Sequence, residues 1–349
     1  MTDEFAIGDV LFRQRQLDTV EQVSGRYDLV VAGLSWESRG PVAFRRLADP
    51  TTPVSLLKFK SRSPFIEQEK ERQLSEFRAT LNSVAVKEVH ASIDAQENFV
   101  ILKSWFEDLF SVAGRPLSVL IDVTCIPKTY VLYLIGLGFS DELFARLDCL
   151  YTPGVYDLAS NDTASPPNIA GPRALLSEGE WRSRQIPYLE ASEYIANDVD
   201  LLVTIGGELG LSLPFIERYE PRRLGVIFIK ETAPRTTKWM LGSERRAYEE
   251  LLKEPNAEQE EIGLCDALGV VRHTVSFASG SCARGTTALA IGAKPHALAL
   301  GVAALADPRM EVVCRTPASY RPVDVSAIGH VMLYEIVDRF DPTGYISHS

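Results

Sequence analysis

The stretch YDLVVAGLSWES (residues 27–38) is an apolar run closed by a Gly/Ser loop that carries a glutamate, and VDLLVTIGGELG (199–210) repeats the design. Apolar runs of this length, rich in β-branched residues, read as strands buried on both faces. Further along, LDCLYTPGVY ends at Tyr156 and VVCRTPASY ends at Tyr320. PKTYVLYLIGLGF and AKPHALALGVAAL align between them. Pairing Asp28 with Asp200, Pro50 with Pro221, Pro64 with Pro234, Lys128 with Lys294 and Pro153 with Pro317 gives offsets of 172, 171, 170, 166 and 164. The order is kept and the offset drifts as short loop deletions would make it. The shared T-P-x-x-Y, Thr152 to Tyr156 and Thr316 to Tyr320, is the sharpest match. One unit is used twice.

In the first copy the strands are expected at Leu29–Ala32, Val54–Phe59, Val86–Ala91, Ser118–Val123 and Arg146–Tyr151. Helices are expected at Val42–Leu47, Ile66–Leu81, Phe99–Phe110 and Thr129–Phe139. In the second, strands are expected at Leu201–Ile205, Gly225–Ile229, Val270–Phe277, Ala288–Ile291 and Glu311–Cys314. Its helices are expected at Leu211–Tyr219, Glu244–Leu252 and Pro295–Ala306. Alternating strands and helices imply an α/β protein of two tandem Rossmann-like, doubly wound parallel-sheet domains, related by internal duplication about a pseudo-two-fold. The expected organisation is an N-terminal extension (1–26) with a short outer helix, a first copy (27–159), a Pro/Gly/Asn/Ser-rich linker (160–197) and a second copy (198–349). Only ASGSCARGTT separates the third and fourth strands of the second copy on this reading, too little for a parallel crossover helix.

The whole chain has 349 residues, 46% hydrophobic and 24% charged, with mean hydropathy of −0.01. That excludes disordered, collagen-like and disulfide-scaffold classes. Its 36 basic and 47 acidic residues leave a net charge of −11, against a protein built to wrap duplex nucleic acid but not against a local anion pocket. Five cysteines without C-x-x-C spacing argue against a zinc site or a disulfide framework. The acidic N-terminal stretch and the lack of a long apolar run point to a cytoplasmic protein that meets no membrane. No cofactor or metal is expected.

Ligands of doubly wound sheets lie at the carboxyl ends of the strands. After strand one stand Ser35, Glu37 and Arg39 in the first copy and Gly206, Gly207 and Glu208 in the second. Small residues before a helix suit an anion, while a glutamate suits a ribose hydroxyl or base amine. The competing reading is a tight turn with a capping acid, and no GxGxxG supports a dinucleotide. After strand four, Asp122 and Thr124 offer oxygens and Lys128 opens the next helix; Lys294 repeats it. A lysine at a helix N-terminus opposes the helix dipole, so a cation there suits an anionic ligand, unless it is simply solvated. Lys58, Lys60 and Arg62 share one strand face as a basic wall or a solvated edge. Ser279 and Arg284, in the loop before strand four of the second copy, are further candidates, with an unstructured loop as the alternative. His90 and His273 read as core histidines in third strands.

Asp122-Val-Thr124-x-x-x-Lys128 at a fourth strand's end resembles the D-x-T-x-G-x-K motif of CRISPR-associated Rossmann-fold (CARF) sensor domains. Ile126 stands where the family has glycine, and Ala288 where the second copy would need the aspartate. The resemblance implies binding of a cyclic or linear oligoadenylate across a two-fold interface, here internal, with Lys128 and Lys294 facing one pocket. It also implies control of a separate effector protein, or hydrolysis of the ligand, in antiviral defence. The residues leave two rivals open: an enzyme acting on a nucleotide or phosphorylated metabolite, with Glu37, Asp122 or Glu208 as acid or base, and a non-catalytic scaffold subunit.

Overall fold

The computed structural model describes residues 3–18, 23, 26–46, 52–81, 86–92, 95–156, 177–192, 199–205, 213–230, 249–280, 285–320 and 322–340. The chain opens on a hairpin, β1 (Asp3–Ile7) and β2 (Val10–Gln16), where a helix is expected from the sequence. Then come β3 (Leu29–Gly33), β4 (Val54–Phe59), α1 (Pro64–Leu81), β5 (Val86–Ala91), α2 (Ala95–Ala113), β6 (Leu117–Asp122), α3 (Lys128–Ser140) and β7 (Phe144–Tyr151). The helix expected at Val42–Leu47 is a 3-10 turn, Ala43–Arg46. A short β8 (Gly154–Tyr156) follows, and β9 (Ser177–Gln185) lies where a linker is expected.

The second half contains β10 (Val199–Thr204), α4 (Leu213–Tyr219), β11 (Arg223–Lys230), β12 (Ala257–Gly263), α5 (Ala267–Ser279), β13 (Gly285–Ala290), α6 (Lys294–Ala306), β14 (Met310–Tyr320), β15 (Val325–Ala327) and β16 (Met332–Asp338). The five parallel strands run β5-β4-β3-β6-β7 in one sheet and β12-β11-β10-β13-β14 in the other. Numbered within each copy, both orders are 3-2-1-4-5. This is the doubly wound α/β architecture, built twice.

The stretch Val270–Phe277, expected as a third strand, lies in helix α5. Asp266 caps that helix by accepting from the Gly269 N–H at 2.8 Å, and Ala267, Val270, Val271, Thr274, Phe277 and Ala278 are buried at helical spacing. Its β-branched residues mimic a strand. The true third strand is β12, AEQEEIG, a sheet-edge strand with Gln259, Glu260 and Glu261 exposed, so it lacks the apolar run that marks most of the others. The helix missing from the sequence reading is therefore present, ending at Ser279. The helix expected at Glu244–Leu252 falls largely outside the described residues.

An antiparallel strand lies on the outer side of each fifth strand. β9, which follows the first copy in the chain, pairs antiparallel with β14. β16, which follows the second copy, inserts antiparallel between β7 and β2. β16 thus crosses into the first sheet, to which residues 332–338 belong, while β9, from between the two copies, closes the second. Between the sheets, α3 and α6 are almost wholly buried and pack on each other in one core containing Leu132, Ile135, Leu298 and Val302. Gly301 permits that approach: a Cβ there would stand 3.0 Å from Leu132 Cδ2. Among the described residues, no helix is long and apolar enough to cross a membrane.

Candidate functional site

β6 and β13 end at the junction of the two halves, where α3 and α6 begin. Neither helix has a side-chain N-cap, and each begins on a lysine. The lysines cross. Lys128 Nζ donates to the carbonyls of Ile291 (2.5 Å) and Gly292 (2.8 Å) in the second half. Lys294 Nζ donates to the carbonyl of Thr124 in the first. Each ammonium therefore leaves the positive end of its own helix for the carbonyl-rich loop opposite, which removes the electrostatic objection to its position. Lys294 sits half-buried, and burial pulls its pKa down against the pull of Glu37, Cys125 and Asp122.

The first half's side of the junction is polar. Asp122 is buried, and its Oδ1 accepts from the Thr124 N–H at 2.9 Å. Burial pushes its carboxyl up to about 6, although Thr124's hydrogen bonds and the Lys294 and Arg39 charges act the other way. Thr124 Oγ1 accepts from the Thr152 N–H at 2.9 Å. The Thr152 carbonyl accepts from Arg39 at 3.0 Å, and Arg39 Nε pairs with Glu37 at 2.6 Å. The Arg39 guanidinium lies 5.9 Å from the centre of the Tyr151 ring. Cys125 is beside this group, its thiol pKa raised first by burial.

Segment 323–327 clasps the loop after β3: Trp36 Nε1 donates to the Val323 carbonyl at 3.1 Å, the Ser38 N–H to Asp324 at 2.8 Å, and β15 pairs with β8.

Register makes the halves comparable. Asp122 lies opposite Ala32 and Leu150, and Ala290 lies opposite Thr204 and Cys314. The counterpart of Asp122 is therefore Ala290, not Ala288, because the loop to Lys294 is two residues shorter than that to Lys128. By the same register Thr152 matches Thr316. The halves also share a close approach of strand one to the loop after strand four. A Cβ on Gly33 would stand 2.7 Å from the backbone carbon of Cys125, whereas a Cβ on Gly292 would stand 3.2 Å from Thr204. Both neighbours are backbone carbons, but the approach at Gly33 forces something to shift, whereas that at Gly292 asks only a small adjustment. Gly33→Ala is expected to cost about 1–3 kcal/mol in urea denaturation, and Gly292→Ala distinctly less.

Of the expected site residues, Glu37, Arg39, Asp122, Thr124, Lys128 and Lys294 come together, and Ser35 is buried at the end of β3. Ser279 does not join them. It is exposed at the far end of α5, next to Phe277, whose carbonyl binds Arg223 at the start of β11, and so lies at the opposite edge of the sheet. Gly206, Gly207, Glu208 and Arg284 lie outside the described residues. Lys58 is tied to Glu71, while Lys60 and Arg62 are exposed, which matches a solvated edge. His90 is exposed on β5 rather than in the core, and His273 is half-buried on α5. Sequence reasoning missed Thr152 as a site residue, although it heads the T-P-x-x-Y repeat. His296, outside this group, is buried with Nε2 2.9 Å from the Gly263 carbonyl. Among the described residues no group of three His, Cys, Asp or Glu is placed to hold a metal.

No family model matches the chain. No curated protein matches it either. Among solved structures, it is similar at 12% identity to a multidomain adenylation, ketoreductase and pseudo Asub structure of a keto acid-selecting NRPS module. That match has a TM-score of 0.20 over 82% of this chain and 28% of the other. It is similar at 10% identity to an N-terminal ketoreductase from a macrolactin assembly line, with a TM-score of 0.19 over 81% of this chain and 64% of the other. The chain thus spans less than two thirds of the length of either. At these TM-scores neither likeness bears on function.

Proposed function

We propose that the protein binds a phosphorylated, nucleotide-type messenger, a cyclic or linear oligonucleotide, at the junction of its two halves. The observation that carries this reading is the pair of crossed lysines. Two helix N-termini converge with their cations on one internal pseudo-two-fold, an arrangement suited to a roughly symmetric ligand with several phosphates. The resemblance of Asp122-Val-Thr124 to Lys128 supplies the oligoadenylate class and a setting in antiviral defence. β1 and β2 are part of the first sheet and β16 is inserted in it, so the described residues form the two halves and no separate effector fold. The resemblance implies that the output passes to a partner protein.

Calorimetry against cyclic and linear oligoadenylates tests this. The wild type is expected to bind at least one of them. Lys128→Ala and Lys294→Ala should each weaken binding tenfold or more, about 1.4 kcal/mol, with melting curves confirming that the variants fold. A wild type that binds none of the panel overturns the reading. Asp122, with its raised carboxyl pKa beside Lys294, favours one second reading, hydrolysis of the bound ligand. Chromatographic turnover that is lost in Asp122→Asn would select it.

A further inference from the structure

Residues 322–330 lie between β14 of the second half and β16 in the first sheet, and on the way they cross the loop after β3. The crossing is held lightly. β15 and β8 form a two-stranded sheet of three residue pairs, apart from both large sheets. A two-stranded sheet alone is marginal in water. Single hydrogen bonds make the other ties: Trp36 to Val323, Ser38 to Asp324 and Val325, and the Ile328 N–H to the Pro153 carbonyl at 2.9 Å. Residues 326–330 are exposed, and Gly329 turns at a φ of 66° with open space where a Cβ would stand. Val325 is the one buried side chain of 322–330. Few buried apolar contacts and exposed backbone hydrogen bonds mark a segment that opens without global unfolding.

Arg39 lies beneath it. A Cβ on Gly154 would stand 2.5 Å from Val325 Cγ1 and 2.9 Å from Arg39 Cδ, so the strap's buried side chain and the arginine's stem rest against the same spot. The guanidinium donates to Glu37 and to the Thr152 carbonyl, its two hydrogen bonds among the described residues. A guanidinium has five N–H donors, so three are left over. Its side chain is nevertheless only 8% exposed. Clamping a phosphate takes two parallel N–H bonds and therefore one open edge of the guanidinium. Through Thr152 and Thr124 this arginine is also linked to Lys294 at the junction.

We propose that 322–330 is a gate over Arg39, which lifts from β8 and the loop after β3 to admit a phosphoryl group of the ligand to the guanidinium and then settles back over it. This rests on the messenger-binding reading and adds the way in. Glu37 keeps the guanidinium aimed while the gate is shut. Because the gate belongs to the second copy and closes over the first, a ligand held under it ties the two together.

Hydrogen exchange and a cross-link test the gate. In the unliganded protein the Ser38 and Ile328 amides are expected to exchange about a hundredfold or more faster than the hydrogen-bonded amides of β7. Val155 and Ser326 lie directly opposite each other in the β8–β15 pair, at a separation that suits a disulfide. In stopped-flow mixing with cyclic or linear tetra-adenylate, oxidised Val155→Cys/Ser326→Cys should associate about tenfold or more slower than its reduced form. The wild type taken through the same oxidation is the control. Asp324→Ala, which drops the bond to the Ser38 N–H, should act the other way and speed both Ile328 exchange and association about threefold, a gain that a folding defect does not give. Ser38 and Ile328 amides protected as well as those of β7 overturn the gate, whatever the protein binds. Equal association by the oxidised and reduced cross-link, or association no faster in Asp324→Ala, overturns it while leaving messenger binding intact. A wild type that binds neither probe overturns the messenger reading and the gate's role in it together.

Discussion

Arg146→Met is expected to destabilise the protein by about 3–5 kcal/mol, the usual consequence of stripping the cation from a buried ionic cluster. Asp148 on β7 and Glu335 on β16 lie directly opposite each other in the antiparallel pair. Like charges so placed repel. Arg146 joins them: its guanidinium makes bonds of 2.9 and 2.7 Å to Asp148 and one of 2.6 Å to Glu335. Tyr27 adds a hydroxyl bond of 2.5 Å to Asp148. All four side chains are buried, so without Arg146 two carboxylates face each other away from water.

Burial first, and then Asp148, already hold the Glu335 carboxyl pKa above its ordinary value. A carboxyl raised in this way binds its proton more tightly in the folded protein than in the unfolded chain. Stability therefore falls as pH rises through that window. Removing the cation raises the Glu335 carboxyl further, so the deficit of Arg146→Met should shrink as the pH is lowered from about 7.5 towards 5. Urea denaturation across that range reads both effects. Adding Glu335→Gln should recover part of the loss at pH 7.5, and a deficit that does not change with pH would assign the damage to packing alone.

This cluster marks where the sequence was legible and where it was not. Most strands of the first copy could be located because they are apolar runs buried on both faces; β4 falls on the expected residues, and so does β5, a half-exposed edge strand. The central helices could be read because Lys128–Ser140 and Lys294–Ala306 are apolar on all sides. β12 escaped because an edge strand with glutamates facing water carries no apolar signal, and α5 was mistaken for a strand because Val270, Val271 and Val275 are β-branched. Which sheet β9 and β16 join was invisible, since a strand's pattern tells which face is buried and not which edge receives it.

The site was legible to the same depth. The matched lysines pointed to the junction, but their crossing depends on the relative placement of two halves more than 160 residues apart in sequence. Thr152 was quoted as a repeat marker. That its N–H and carbonyl tie Thr124 to Arg39 is a property of packing that the repeat does not show.

Cutting the chain between 161 and 169 is expected to leave the two pieces tightly associated, because β16, carried by the second piece, lies between β7 and β2 of the first. β16 places Leu333, Tyr334, Ile336 and Val337 in the core beside β7, where the first two and Ile336 are fully or almost fully enclosed. At about 1.5–3 kcal/mol for each large apolar side chain, these four alone contribute roughly 6–12 kcal/mol. That is comparable to the whole stability of an ordinary domain, about 5–15 kcal/mol. The first half without β16 would also expose the edge of β7 and leave Arg146 and Asp148 short of Glu335. A protease site inserted in 161–169 and cut in the folded protein should therefore yield fragments that co-elute in size-exclusion chromatography and part only when urea unfolds both. Residues 1–160 produced alone should be insoluble or unfolded by circular dichroism. A soluble, cooperatively melting first fragment would show that the first copy folds without its neighbour's strand, and would reduce the β16 crossing to a surface contact between finished domains.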